Sequence, residues 1–200
     1  MKKKLFGLVV IFMICSSVKV AAQGYSYPGF HFGLRGGYTM NSYVGDGSEN
    51  YKNKNSLYGG LAVDFRLGSI PLYLETGAYY MNKGYVIEVG KEYSYYRDYG
   101  IYYEYNHNAN FFHAPLLISY HYYVTEDMAI QPFFGGYGGY STELDEADYG
   151  IRFGCGFNWK RLYASVGYDC GLRNVINKRL VKLHANTLIL TLGFNIVGAR

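Results

Sequence analysis

The chain has 200 residues, a formal net charge of +4, 19% aromatic and 17% charged residues. Its 26 glycines and 25 tyrosines, against four prolines, argue against a helical protein and for an all-β one, because tyrosine suits strands and joins an apolar ring to a polar tip. Lys2, Lys3, Lys4 and Lys19 carry the whole charge excess, so residues 23–200 are electrically balanced and no nucleic-acid partner is expected.

Residues 1–22 read as a cleavable export signal. Lys2 to Lys4 form the charged start, Leu5 to Ile14 the apolar stretch, and Val20-Ala21-Ala22 a small-residue cleavage site before Gln23. The apolar run is too short to span a bilayer as a helix, which needs about 20 residues. Ile14 stands where lipoprotein processing wants Gly, Ala or Ser, which argues against an anchor on Cys15. The expected organisation is a signal over 1–22 and a single domain over 23–200.

From Phe30 onward, strict alternation runs through segments of about ten residues. The first has Phe30, Phe32, Leu34, Gly36, Tyr38 and Met40 on one face and His31, Gly33, Arg35, Gly37 and Thr39 on the other. The second sets Leu57, Leu61, Val63, Phe65 and Leu67 against Tyr58, Ala62, Asp64 and Arg66; the third sets Leu72, Leu74, Ala78 and Tyr80 against Tyr73, Glu75, Tyr79 and Met81. The fourth, over 111–122, has Phe112, Ala114, Leu116, Ile118 and Tyr120 on its apolar face, and a fifth over 128–140 is blurred by Pro132 and glycines. Three more follow, carrying Ile151, Phe153, Phe157 and Trp159, then Leu162, Val166, Tyr168 and Leu172, then Leu188, Leu190, Leu192, Phe194 and Ile196.

Eight strands are joined alternately by tight turns (68–71, 124–127, 160–161) and longer polar connections (41–56, 83–110, 141–148, 173–185). That sorting, with aromatics at both ends of the apolar faces, predicts an all-β, eight-stranded, antiparallel up-and-down transmembrane barrel with short periplasmic turns and long extracellular loops. In lipid, strands satisfy their backbone polar groups only by closing the sheet. The implied location is the outer membrane of a Gram-negative cell.

Eight strands leave an interior that side chains can fill. The tight turn at Lys160-Arg161 puts Arg152 opposite Asp169, a predicted interior ion pair, while the turn at 68–71 puts Asp64 opposite Glu75, with Arg66 and Arg35 as candidate cations. The lumen should then be a packed polar plug. The same register separates Cys155 from Cys170 by about 13 Å, too far for a disulfide, so two free thiols are expected.

Phe112-His113-Ala114-Pro115-Leu116-Leu117 resembles a strand of the PorT-like outer-membrane β-barrel family, as do 72–84, ending in Lys83-Gly84, and the hairpin over 149–174. The resemblance covers roughly residues 24–196. It implies an integral outer-membrane barrel, and its motifs specify fold rather than activity. His113 and Ser119 stand where the family commonly has Glu and Lys, and Phe194-Asn195-Ile196 replaces its usual aromatic ending.

Function is expected to be non-enzymatic, structural or surface-interacting, through the long loops. In the longest, 84–89 and 100–105 have strand character and should extend the barrel hairpin, with a tip over 91–99. Tyr93, Tyr95, Tyr96, Tyr99, Tyr102 and Tyr103 would give that extension a sticky rim, since tyrosine offers large contact area at low entropic cost. Partners would be outer-membrane lipid and extracellular or envelope proteins, with the barrel itself monomeric. The alternatives are an accessory of a secretion or transport system, and a lipid-modifying enzyme. The second is disfavoured because His113 and Ser119 lie about 20 Å apart along one strand. No catalytic residue, cofactor or metal site is predicted. The 46–50 segment lacks the full calcium-loop pattern, and the acids Glu143, Asp145, Glu146 and Asp148 are expected to be solvated or bridged to lipid by cations.

Overall fold

Alternating side chains become a wall with two chemically opposite faces. The structure, a computed structural model, describes residues 28–45, 48, 51–83, 85–89, 103–107, 110–143, 145–174 and 183–198. The segment read as an export signal lies outside the described residues. The strands are β1 (Phe30–Gly45), β2 (Tyr51–Lys52), β3 (Lys54–Arg66), β4 (Leu72–Asn82), β5 (Tyr85–Val89), β6 (Tyr103–His107), β7 (Asn110–Tyr120), β8 (Tyr122–Tyr123), β9 (Met128–Ser141), β10 (Glu146–Trp159), β11 (Leu162–Asn174) and β12 (Leu183–Val197).

Eight of them close into one antiparallel barrel in the order β1, β3, β4, β7, β9, β10, β11, β12, with β8 a short addition beside β9. The seam is a long ladder between β1 and β12, from Phe32↔Val197, through a register shift between Phe32 and Gly33, up to Gly45↔Leu183. Closure removes the two edges that an open sheet would expose.

The distribution of side chains is inverted relative to a water-soluble sandwich. Leu57 and Leu192 are 75% and 72% exposed on the outside, while Thr39, Ser119 and Asp169 inside have no exposed surface. Large apolar groups outside and polar groups inside are stable only when the outside medium is hydrocarbon. Phe30 pairs with Phe65 at one end of the outer face, and Tyr80, Phe112 and Tyr140 share one row near the other. These are the aromatic belts expected at the two headgroup regions.

Turns fix the register. At the tight end Gly68 takes a φ of 80° and Leu67 N–H donates to the Leu72 carbonyl at 2.7 Å, which sets Asp64 against Glu75. The Lys160-Arg161 turn, with Lys160 at a φ of 53°, sets Trp159 against Leu162, Cys155 against Val166 and Cys170 against Ile151. Both cysteines are free thiols.

Strands at the long-loop end run beyond their apolar segments. The first strand continues to Gly45 and the last begins at Leu183, so the connections are shorter than the polar sequence suggests. Polar residues hold these extensions: Thr187 Oγ1 donates to Asn41 Oδ1 at 2.8 Å, and Ser42 Oγ to the Asn186 carbonyl at 3.4 Å. A ladder that has left the hydrocarbon needs no apolar face, so alternation stops before the strand does.

The interior is not purely polar. Tyr58, Met81, Phe111 and Ile189 form an apolar cluster, with Tyr79 packed against it. The expected polar plug is therefore a layered one. Phe111 and Leu117 lie on the inward face of β7, so that strand is apolar on both sides apart from His113 and Ser119.

Candidate functional site

Two polar clusters lie inside the barrel. Nearer the long-loop end, Arg152 on β10 meets Asp169 on β11: Arg152 Nε donates to Oδ1 at 2.6 Å and Nη2 to Oδ2 at 2.8 Å. This bidentate geometry is the strongest form of a guanidinium–carboxylate contact. His113 Nε2 stands 3.7 Å and Lys83 Nζ 3.9 Å from the same carboxylate. Lys83 is otherwise bound to Asp148 Oδ2 at 2.6 Å and sits 4.6 Å above the Tyr137 ring. Residues from β7, β9, β10 and β11, and from the end of β4, thus converge on one buried charge set.

Lys83 enters the sequence reading only as the Lys-Gly end of the third strand and not as an interior charge, although the signal for that was present. It continues the inward parity of Tyr79 and Met81, and Asp148 shares that of Arg152. What hid the pair was the assignment of both residues to loops.

Toward the short-turn end, Tyr73 stacks on His121 with the rings 3.8 Å apart and only 12° from parallel, and His31 meets both in tilted contacts. The opposed carboxylates Asp64 and Glu75 face histidines: His31 Nδ1 is 3.9 Å from Asp64 Oδ2, and His121 Nε2 is 3.5 Å from Glu75 Oε1. Arg35, expected as a cation for these acids, acts electrostatically on Asp64 while its guanidinium donates to Asn195 Oδ1 at 2.6 Å and lies 4.0 Å over the Tyr163 ring. The reason is geometric, since the β1–β12 seam brings Asn195 directly against Gly33, two residues along the same inward face. Arg66 lies on the diagonal from Glu75, as the register Arg66↔Tyr73 requires.

Between the clusters is a cavity of about 50 Å³, bordered by Asp64, Glu75, Arg152 and Tyr163. It is an interior void, and the groups above and below it are buried. In a planar bilayer the full chain is expected to give no steady conductance. Stable conductance steps would show a continuous aqueous path that this packing forbids.

Sequence reasoning also overlooked a nucleophile–base contact among the described residues. Ser119 Oγ lies 3.1 Å from His121 Nε2, because His121, directly after the end of β7, keeps the inward side that Ser119 takes two residues earlier. A catalytic relay needs its nucleophile and its carboxylate on opposite ring nitrogens. Here Ser119 and Glu75 both approach Nε2, and Gln131 stands 3.3 Å from Nδ1. Ser119 is also fully buried. The contact is a hydrogen-bonded brace across β7, β9 and β4.

At the outer rim, each acid of the 143–148 turn has a partner rather than being merely solvated. Asn110 Nδ2 donates to Glu143 at 2.8 Å, the Tyr140 hydroxyl donates to Asp145, Arg173 Nη1 is 3.5 Å from Glu146, and Asp148 holds Lys83. Above the rim, β5 pairs with β6 from Tyr85↔His107 to Val89↔Tyr103, and β2 joins β5. This pairing continues the β4–β7 register, whose last pair is Asn82↔Asn110. Of the six tyrosines proposed as a binding rim, Tyr93, Tyr95, Tyr96, Tyr99 and Tyr102 lie outside the described residues, and Tyr103 is the first residue of β6, paired with Val89.

Comparison with curated protein sequences finds no match. Solved structures give fold-level likeness. Outer membrane protein OprG from Pseudomonas aeruginosa is 11% identical with a TM-score of 0.50, over 86% of this chain and 98% of that one. The attachment invasion locus protein Ail of Yersinia pestis is 15% identical with a TM-score of 0.38, over 83% of this chain and 98% of Ail. Neisserial surface protein A is 10% identical with a TM-score of 0.38, over 82% and 96%. Residues 21–143 match the family described as outer membrane protein beta-barrel domain. That match covers more than half of a chain whose sheet is closed and apolar on the outside, and the protein belongs to the outer membrane protein beta-barrel domain family.

Proposed function

We propose that this protein is a PorT-like, non-enzymatic outer-membrane barrel that works at the cell surface through the hairpin rising from β4 and β7. One observation supports the reading above others: β5 and β6 keep the barrel's register beyond its rim, so the tip is carried on a braced stalk rather than a slack loop. A rigid support lowers the entropy lost when the tip binds. The tyrosines at 93, 95, 96, 99, 102 and 103 would supply the contact area, and the partner would be an extracellular or envelope protein. A sealed interior is in keeping with such a role, since the lumen then serves to hold the stalk in place.

Replacing Tyr93, Tyr95, Tyr96 and Tyr99 together by serine should leave the barrel folded. Cells bearing the variant should lose about tenfold or more of their attachment to immobilised matrix protein or partner cells, equivalent to a loss of about 1.4 kcal/mol. Unchanged attachment would rule out the adhesive role.

A further inference from the structure

Between β4 and β7 the wall has a weak place that faces lipid. Between β4 and β7 the pairs run from Leu72↔Tyr120 to Thr76↔Leu116 and resume at Tyr79↔His113, skipping Gly77, Ala78, Ala114 and Pro115. Pro115 has no N–H to give, and its carbonyl accepts the Thr76 hydroxyl at 2.8 Å. Outside this gap the outward residues of four consecutive strands are small: Gly59, Ala78, Ala114 and Gly138. Tyr80, Phe112 and Tyr140 overhang them on the long-loop side. Tyr80 and Phe112 meet edge-on at 5.6 Å, and the Tyr140 hydroxyl is tied upward to Asp145. The result is a groove of about 630 Å³, within the range of about 300–1,000 Å³ usual for small-molecule sites. His113 reaches its back wall, and the Nδ1 of that histidine is buried without a hydrogen-bond partner.

We propose that this groove is a binding site for one acyl chain of an outer-leaflet lipid. Its position selects that occupant. The groove opens on the face that meets hydrocarbon and begins directly under the aromatic belt of the long-loop end, the level at which outer-leaflet chains leave their headgroups. Small side chains let a flexible chain lie against the backbone, where dispersion contacts are densest. A second barrel fits poorly. Phe112 and Leu116, 62% and 59% exposed, project at the border, so two convex walls would meet on these ridges and leave the recess empty.

The test uses the full chain in vesicles of phosphatidylethanolamine and phosphatidylglycerol. A small fraction of the phosphatidylethanolamine carries a photoactivatable diazirine midway along one acyl chain. After irradiation and digestion, label should concentrate around Ala78, Ala114 and Gly138, about tenfold above the outward face near Val166 and Leu190 on the far side. Gly138→Leu should abolish that excess and leave the far-side label unchanged. No atom lies within 4 Å of a Cβ built at Gly138, so the substitution fills the recess without disturbing the wall. Even labelling around the barrel would overturn the proposal, as would an excess that survives Gly138→Leu or a cross-linked pair of chains as the main product. The distribution in the unsubstituted protein decides the matter should Gly138→Leu fail to fold.

Discussion

Asp169→Asn is expected to destabilise the folded barrel by about 3–5 kcal/mol, the range for breaking a buried ion pair by removing one partner. The side chain has no exposed surface and accepts two charge-assisted bonds from Arg152. Lys83 lies 3.9 Å away and His113 3.7 Å. Asparagine keeps the size and part of the hydrogen bonding but removes the charge, leaving two buried cations to share Asp148. Asp127→Asn is the natural contrast. It removes a pairing with Lys160 at 3.9 Å in which the side chains are 45% and 59% exposed, and should cost less than about 1 kcal/mol. The combination Arg152→Met with Asp169→Leu should recover most of the loss, because an apolar pair leaves no charge stranded. Urea titration of the barrel refolded into vesicles measures all three. Equal midpoints for Asp169→Asn and Asp127→Asn would mean that water reaches the cluster.

The fold was readable because its two governing patterns are local. Period-two alternation says which face each residue takes, and a turn of two to four residues says which residue stands opposite which. Lys160-Arg161 and 68–71 are such turns, and they alone set Arg152 against Asp169 and Asp64 against Glu75. Register across the seam is different in kind. β1 and β12 are separated by nearly the whole chain, and no turn links them, so the meeting of Arg35 with Asn195 had no local signal. Contacts across the lumen are equally remote. Lys83 finds Asp148 because the barrel is narrow, and narrowness is a property of the closed sheet rather than of either segment. Ser119 with His121 is another matter: only two residues apart in the sequence, they were legible, and comparing Ser119 with His113 instead passed over the nearer pair. The recess outside Pro115 belongs with the seam, since it needs small residues from four strands in register.

Gly37→Val is expected to prevent stable closure of the barrel, at a cost of about 3 kcal/mol or more, beyond ordinary overpacking. Gly37 faces inward on β1, where it stands opposite Thr191 of β12 and Tyr58 of β3. A Cβ there would overlap the Leu190 carbonyl oxygen and lie 3.0 Å from the Tyr58 ring. The first obstacle is backbone, which cannot rotate away, so β1 and β12 would have to separate. Separation at the seam exposes two unpaired edges to lipid, the arrangement that hydrocarbon tolerates least. Gly136 faces the other way on β9, and the nearest atom to a Cβ built on it is the Gly150 carbonyl oxygen at 3.7 Å, an ordinary contact. Gly136→Val should therefore fold normally and change stability by less than about 1 kcal/mol, since it adds an apolar group facing lipid. Folding yield in vesicles, scored by the difference in gel mobility between unheated and boiled samples, separates the two. A narrow barrel needs tight curvature, and inward glycines such as Gly37, Gly60 and Gly150 provide it by letting neighbouring backbones approach where a Cβ would run into a carbonyl oxygen. Equal yields for Gly37→Val and Gly136→Val would place the origin of that curvature elsewhere.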